Sequence, residues 1–305
     1  MPTPKPFRFG LLAPRLTTRK DLQDFARGIE GDGWSTLLMA DHLGLAASLP
    51  PLVSVADVTT TLRVGTLVLN NDFHRPVSLA QEIATVDRLT DGRLEIGLGS
   101  GWSKPEYEIL DIAYDKPIVR ARRLIDAWGV MTKAWEGQPT LTFGGGEIPA
   151  SPAPHQRPHP PLLVGGNGDT ILRFAAQEAD IVGLTGTSWR GGAMRQTGAS
   201  LEAFAERVAF VRDAAGDRFD QLELNVQVGT VTTDGDLEGA LAEAAARAET
   251  TPEVIRDSPL YLIGSRSEVV EKIQRLREEL GLSYFASFGW SRAALTPVVA
   301  ELAGR

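Results

Sequence analysis

The chain has 305 residues, 43% of them hydrophobic and 23% charged, with a formal net charge of −8 and a pI near 5.2. That acidic balance excludes a general polyanion-binding surface, so no nucleic-acid partner is expected. The absence of cysteine excludes disulfides, thiolate chemistry and zinc ribbons. No run approaches membrane-spanning length and the first residues lack a signal-peptide apolar core, so the expectation is a soluble cytoplasmic enzyme without a membrane partner.

Phe7 to Ala13 alternates and then turns fully apolar, which predicts a first strand ended by Pro14. Thr18 caps a helix in which Leu22, Phe25, Ala26 and Ile29 recur at three-to-four spacing, and Gly31 and Gly33 close it. The next strand, 35–40, ends in the apolar run Leu37 to Ala40 and stops at Asp41-His42. A continuous apolar run reads as a parallel strand buried on both faces. Burying an acid and an imidazole is costly, so the pair is expected at the strand's carboxyl end, where α/β barrels bind ligands. Capping a following helix is the plainer alternative, and this stretch alone leaves both open.

Pro50-Pro51 opens a short helix, 62–69 is the third strand, and Pro76 starts a helix ended by Asp91-Gly92. A fourth strand, 93–98, runs into Gly99-Ser100-Gly101-Trp102, and a long helix covers about 119–135. Residues 138–160, rich in proline and containing Gly144-Gly145-Gly146, read as a surface excursion with a small hairpin at Thr140 to Phe143. The rhythm resumes with strands at 161–165, 179–184, 222–231 and 283–288. Their intervening helices cover 169–178, 201–215, from about 237, and 267–280. Thr185 to Ser200, polar and Gly-rich, reads as a mobile loop. Eight strands alternating with helices predict one domain, 1–305, an α/β (β/α)8 TIM barrel with an excursion between strands four and five.

A barrel places its chemistry on the loops after its strands. His42 suits proton transfer because imidazole titrates near neutrality. Gly165-Gly166-Asn167-Gly168 lies between a strand and a helix, where backbone amides can hold a phosphate; glycine equally serves tight turns, and the loop alone does not decide. Trp102 reads as a packing residue or as the wall of a flat pocket. His74 is expected to face a ligand's polar tail. His155 and His159 are surrounded by prolines, cannot share a helix face as metal ligands, and read as a solvated loop; no metal site is expected.

Several segments together resemble the luciferase-like superfamily, in the branch that uses the deazaflavin coenzyme F420. They are Gly33 to Gly44 with Ala-Asp-His-Leu, Arg63 to Asn71, Gly92 to Trp102, Gln156 to Gly166, and Ile263-Gly264-Ser265. The resemblance implies a dimeric barrel holding a flavin or deazaflavin at the carboxyl ends of its strands. It carries over Asp41 and His42 as the residues beside the reactive ring. The strand-three end, about Thr66 to Asn71 with Leu67, Val68, Asn70 and Asn71, would support the ring's back face, often through a non-proline cis peptide. Gly101 and Trp102 would border the same pocket, and Gly165, Gly166, Asn167 and Gly168 would hold the phosphate.

Two positions depart from F420-dependent sugar-phosphate dehydrogenases. Leu45-Ala46-Ala47 stand where those enzymes carry a tryptophan, and Trp102 stands where they carry a glutamate acid. His42 is then the main candidate for proton transfer, with Glu106 second. The expected function is an F420-dependent oxidoreductase exchanging hydride with a small organic substrate. The alternatives are an FMN-dependent monooxygenase and a non-catalytic flavin-binding barrel. Arg75 and Arg157 are the expected basic exit for F420's acidic tail.

Overall fold

The computed structural model describes residues 4–15, 18–190, 193–195 and 198–305. β1 (Arg8–Leu12) leads through α1 (Arg19–Gly31) to β2 (Thr36–Met39), whose residues are all buried. The Thr18 hydroxyl accepts the Asp21 N–H at 3.1 Å, the expected cap of α1. α2 (Pro50–Ala56), β3 (Arg63–Thr66), β4 (Leu69–Asn70), α3 (Pro76–Leu89) and the fully buried β5 (Leu94–Gly99) follow. Next come α4 (Lys104–Ile109), α5 (Pro117–Trp135) and an antiparallel hairpin of β6 (Thr140–Phe143) and β7 (Gly146–Pro149). Proline opens α2, α3, α4 and α5, where its missing N–H costs no helix bond.

β8 (Leu162–Gly166), α6 (Asp169–Glu178) and β9 (Ile181–Leu184) restore the alternation. The stretch expected to be a mobile loop contains a ribbon of β10 (Ser188–Arg190) and β11 (Ala193–Arg195), and part of it lies outside the described residues. α7 (Leu201–Ala215), β12 (Glu223–Gln227), β13 (Thr230–Thr232), α8 (Leu237–Ala248) and α9 (Pro252–Asp257) come next. β14 (Tyr261–Ile263), α10 (Arg266–Leu280), β15 (Leu282–Phe288) and α11 (Arg292–Leu302) end the series. Among the described residues no helix is long and apolar enough to cross a membrane.

The main sheet runs β3-β2-β1-β15-β12-β9-β8-β5-β4, and a further β3–β5 pairing closes it. β3 and β4 are two pieces of one sheet position, parted at Leu67–Val68, whose peptide is cis. The fold is the (β/α)8 barrel that the alternation predicts, with the β6–β7 hairpin as its excursion.

Three sequence expectations need correction. The strand expected over 222–231 stops at Gln227: the Val228 N–H still bonds Ala286 O, but the Gly229 N–H turns to Leu260 O at 2.8 Å. Thr230–Thr232 then pairs with β14 in a separate ribbon. His159 is not solvated; it is half-buried, meets the Trp128 ring edge-on at 4.9 Å and bonds Pro160 O at 2.9 Å. α4, α9 and α11 were not anticipated, the first two because six residues are too few for a periodic signal.

Two compact units divide the chain. One comprises Met1–Pro14, Gly28–Leu37 and Val164–Arg305; the other, Arg15–Arg27 and Leu38–Leu163. The first packs Phe9 against Phe285 with ring centroids 6.1 Å apart and meets Trp34 edge-on at 6.5 Å. Arg8 there pairs with Glu223 at 2.6 Å and covers the Tyr284 ring.

In the second, Ile83, Leu94, Leu98, Leu124 and Met131 are buried to the last atom or nearly so. The Gln156 segment is fastened to it from the amino ends of the strands. Fully buried Asp87 accepts the Gln156 N–H and side-chain amide, both at 2.7 Å, and that amide also reaches Leu94 O at 2.8 Å. Arg63 donates to Gln156 Oε1 at 3.2 Å and to Glu95 at 2.5 Å. Arg157, the next residue, therefore belongs at the amino-terminal face, which corrects its expected place at the barrel mouth.

Gln156→Ala would strip one partner from a buried carboxylate and one from a strand carbonyl. A loss of about 1–3 kcal/mol is expected, read as a lower urea midpoint with unchanged slope; a midpoint like that of wild type would refute the fastening role.

Candidate active site

Asp41 and His42 lie just past β2, after Ala40; Asp41 is held by the loop after β4 and His42 by α4. Asp41 Oδ2 accepts the Asn70 N–H at 2.9 Å and the His74 Nε2–H at 2.9 Å. Burial on its own would raise this carboxyl, but the bonds from His74 and Asn70 outweigh it and hold the group below the usual carboxylate range. His74 Nε2 is thus engaged by Asp41. Asp41 itself is a clamp on the loop after β4, and its oxygen is already occupied by these two donors.

His42 Nδ1 lies 2.9 Å from Glu106 Oε1 and 3.2 Å from Oε2, and the Leu43 N–H donates to Oε1 at 3.2 Å. The His42 side chain is 32% exposed and that of Glu106 is 13% exposed. The His42 ring meets Trp102 edge-on, with centroids 5.2 Å apart and planes at 71°. Trp102 is 45% exposed, so it is no core packing residue and stands as a wall beside the imidazole. Leu43 and Leu45, which follow His42 in the chain, are also exposed.

The turn after β5 is fixed through its carbonyls. Arg120, only 2% exposed, donates to Ser100 O at 3.1 Å, to Gly101 O at 3.2 Å and to Asp115 O. Tyr114 donates to Trp102 O at 3.0 Å and lies under the Arg120 guanidinium at 4.1 Å. The Tyr107 hydroxyl sits 3.0 Å from Asp72 Oδ2, 3.3 Å from Asn70 Oδ1 and 3.3 Å from Ser100 O. Burial first, and then the neighbouring Asp72 charge, push this phenol well above its ordinary range, so it stays protonated and donates. Arg123 neutralises Asp72 at 2.6 Å and also pairs with Asp115.

Glycines in β5 complete the shape. A Cβ on Gly99 would lie 2.5 Å from Val68 Cγ2, and one on Gly97 would strike Thr66 O. The Leu67 N–H bonds Met39 O at 2.8 Å, so the half-buried Leu67 and Val68 lie against β2 and β5. Asn70 and Asn71 are buried.

Gly165 to Gly168 belong to the other compact unit, at the carboxyl end of β8 and the start of α6. Gly168 is exposed in extended backbone, nothing lies within 4 Å of a Cβ placed there, and no side chain caps α6. Gly166 is different, since its Cβ would lie 2.5 Å from Ile171 Cγ2. Within one unit the structure therefore gathers Asp41, His42, Leu67, Val68, Asn70, Asn71, Gly101 and Trp102. Tyr107, Tyr114, Arg120 and Arg123 escaped sequence reasoning because isolated polar residues beside helices read as solvated, whereas Asp72 lies in the Asn70-Asn71-Asp72 loop that the strand-end position singles out. Glu106 did carry a signal, as the first acid after the Gly-Ser-Gly-Trp turn.

The chain matches the luciferase-like monooxygenase family over residues 6–248 and belongs to it. An F420-dependent glucose-6-phosphate dehydrogenase of Nakamurella multipartita is 29% identical over 302 residues, covering 93% of this chain and 83% of that protein. An FMNH2-dependent dimethylsulfone monooxygenase of Pseudomonas putida is 25% identical over 236 residues, covering 76% of this chain and 58% of that one. Among solved structures, a coenzyme F420-dependent tetrahydromethanopterin reductase from Methanopyrus kandleri superposes with a TM-score of 0.74. At 16% identity and 98% coverage of both chains, that likeness speaks for the fold.

Two predictions follow from the clamps. Gly101 has φ +75°, and an added Cβ would strike Tyr107 Oη and lie 2.6 Å from Asn70 Oδ1. Gly101→Ala should lower stability by about 1–3 kcal/mol or more through overpacking and backbone strain; thermal unfolding equal to wild type would contradict this. Asp41 has a folded pKa below its unfolded one, so between those values the unfolded chain binds more protons. Its contribution is present above about pH 4 and is lost as pH falls through the lower, folded value. Asp41→Asn should flatten this part of the acid-unfolding curve, and an unchanged acid limb would remove Asp41 from the account.

Proposed function

We propose that this chain is a coenzyme F420-dependent oxidoreductase that exchanges hydride with a small organic substrate. The observation that carries the reading is His42: one ring nitrogen is held by Glu106, the other has no protein partner among the described residues, and Trp102 walls the ring. It is supported by the 29% identity to an F420-dependent dehydrogenase over nearly the whole chain. When bound, the deazaflavin supplies a carbon that gives or takes hydride. His42 gives or takes the accompanying proton at the substrate. Asp41 keeps His74 and the Asn70 loop in place, and Arg120, Tyr107 and Tyr114 keep the Gly101-Trp102 turn from shifting.

The residues present fit the cofactor. The first turn of α6 has no side-chain cap, and Gly168 leaves open space where a Cβ would stand. Orphan N–H groups at such a helix start are donors for a phosphate. Leu67, Val68, Asn70 and Asn71 are proposed to support the ring, and Gly165, Gly166 and Asn167 to carry the chain past the phosphate. The homodimer implied by the resemblance and the cytoplasmic setting expected from the sequence belong to the same proposal. The second reading, an FMN-dependent monooxygenase, is favoured by the Pseudomonas putida relative.

Fluorescence titration with both cofactors at two ionic strengths separates the readings. F420 should bind more tightly than FMN and lose affinity with salt, because its acidic tail is drawn to surface cations such as exposed Arg75. Micromolar FMN binding without measurable F420 binding would transfer the assignment to the monooxygenase. Gly168→Val should leave the fold intact and weaken F420 binding; a folded variant of unchanged affinity would remove the phosphate role. Gly166 variants are a poorer probe, because they collide with Ile171 whatever the ligand.

A further inference from the structure

We propose that Glu106 is the positioning residue for His42: its carboxylate holds the imidazole as the Nδ1–H tautomer and leaves Nε2 to exchange a proton with the substrate. The inference rests on the reading of His42 as the proton-transfer group.

A carboxylate has no proton to give, so a ring nitrogen 2.9 Å from Glu106 Oε1 is the donor. The neutral ring then has its lone pair on Nε2, and the cationic ring has a second N–H there. Either form can exchange a proton at Nε2 without breaking the Glu106 bond. The same carboxylate oxygen accepts the Leu43 N–H, which prevents it from swinging away when the ring changes charge.

The local sequence offered Glu106 a different partner. Ser103-Lys104-Pro105-Glu106 has the spacing of a capping box, in which serine and glutamate would satisfy the ends of their own helix. That box is not made: the Ser103 side chain makes no cap bond, and Glu106 bonds His42 and Leu43, more than sixty residues away in sequence. Lys104, the nearest cation in sequence, pairs with Glu108 at 3.2 Å and does not compete. A short helix that forgoes its own cap to orient an exposed imidazole is arranged around that imidazole. Tyr107, the next residue, anchors the helix from its other side.

Long-range ¹H–¹⁵N spectra of the cofactor-free protein with ¹⁵N-labelled histidine, taken above the imidazole titration range, read the tautomer directly. Wild type should show His42 as Nδ1–H. Glu106→Ala should shift it to the Nε2–H form that free imidazole side chains prefer. Glu106→Gln should retain Nδ1–H, because the amide oxygen can accept from both Nδ1 and Leu43. With F420 and a turned-over substrate, Glu106→Ala should lower kcat about tenfold or more at unchanged cofactor affinity, and Glu106→Gln should recover most of it. An Nε2–H signal in wild type, an unchanged tautomer in Glu106→Ala, or an affinity loss equal to the rate loss would each overturn the proposal. The tautomer is read without cofactor, so a wrong assignment of F420 would leave that arm intact.

Discussion

The Tyr107 hydroxyl, fully buried and placed among Asn70, Asp72 and Ser100, is the contact on which the arrangement around His42 depends. It joins the loop after β4 to the turn after β5, and it is carried by α4, the helix that also carries Glu106. One phenol proton cannot serve three acceptors at once. Arg123 on Asp72 and Arg120 on Ser100 therefore share the load, and each removes a charge or a lone pair that burial would otherwise make costly. With this node in place, Gly101 has no room for a side chain, and Tyr114 holds the Trp102 carbonyl.

Much of the fold was legible because parallel strands leave an unmistakable trace. Leu37 to Met39 and Leu94 to Gly99 are buried on both faces and carry no alternation. Pro50 and Pro76 mark helix starts, and Asp91-Gly92, both at positive φ, mark a helix end. What could not be read was the choice of partner. Thr230 to Thr232 has the same β-rich composition whether it extends β12 or leaves for Tyr261, and only Gly229 hints at the switch. The division of the third strand at Leu67–Val68 was expected from resemblance alone, since local sequence has no rule for it.

The site was legible where cost reasoning applies and opaque where reach decides. An acid and a histidine ending an apolar strand read either as mouth residues or as a helix cap, and in the structure Asp41 and His42 bond the loop after β4 and α4 instead of capping a helix. Their partners lie 29 to 64 positions away, beyond any local pattern. Glu106 was read only as a second proton-transfer candidate, and its bond to His42 across 64 positions has no local signal. Buried Arg120 was equally hidden, since arginine on a helix ordinarily reads as solvent-facing.

The central claim is that a luciferase-like barrel with this His42 site takes a deazaflavin for hydride chemistry. Under that proposal the imidazole held by Glu106 supplies the proton that accompanies hydride exchange. Native mass spectrometry of the protein incubated with equimolar F420 and FMN tests this directly. The account predicts a dominant F420-bound mass with FMN at background; a dominant FMN-bound mass, or neither ligand retained, would contradict it.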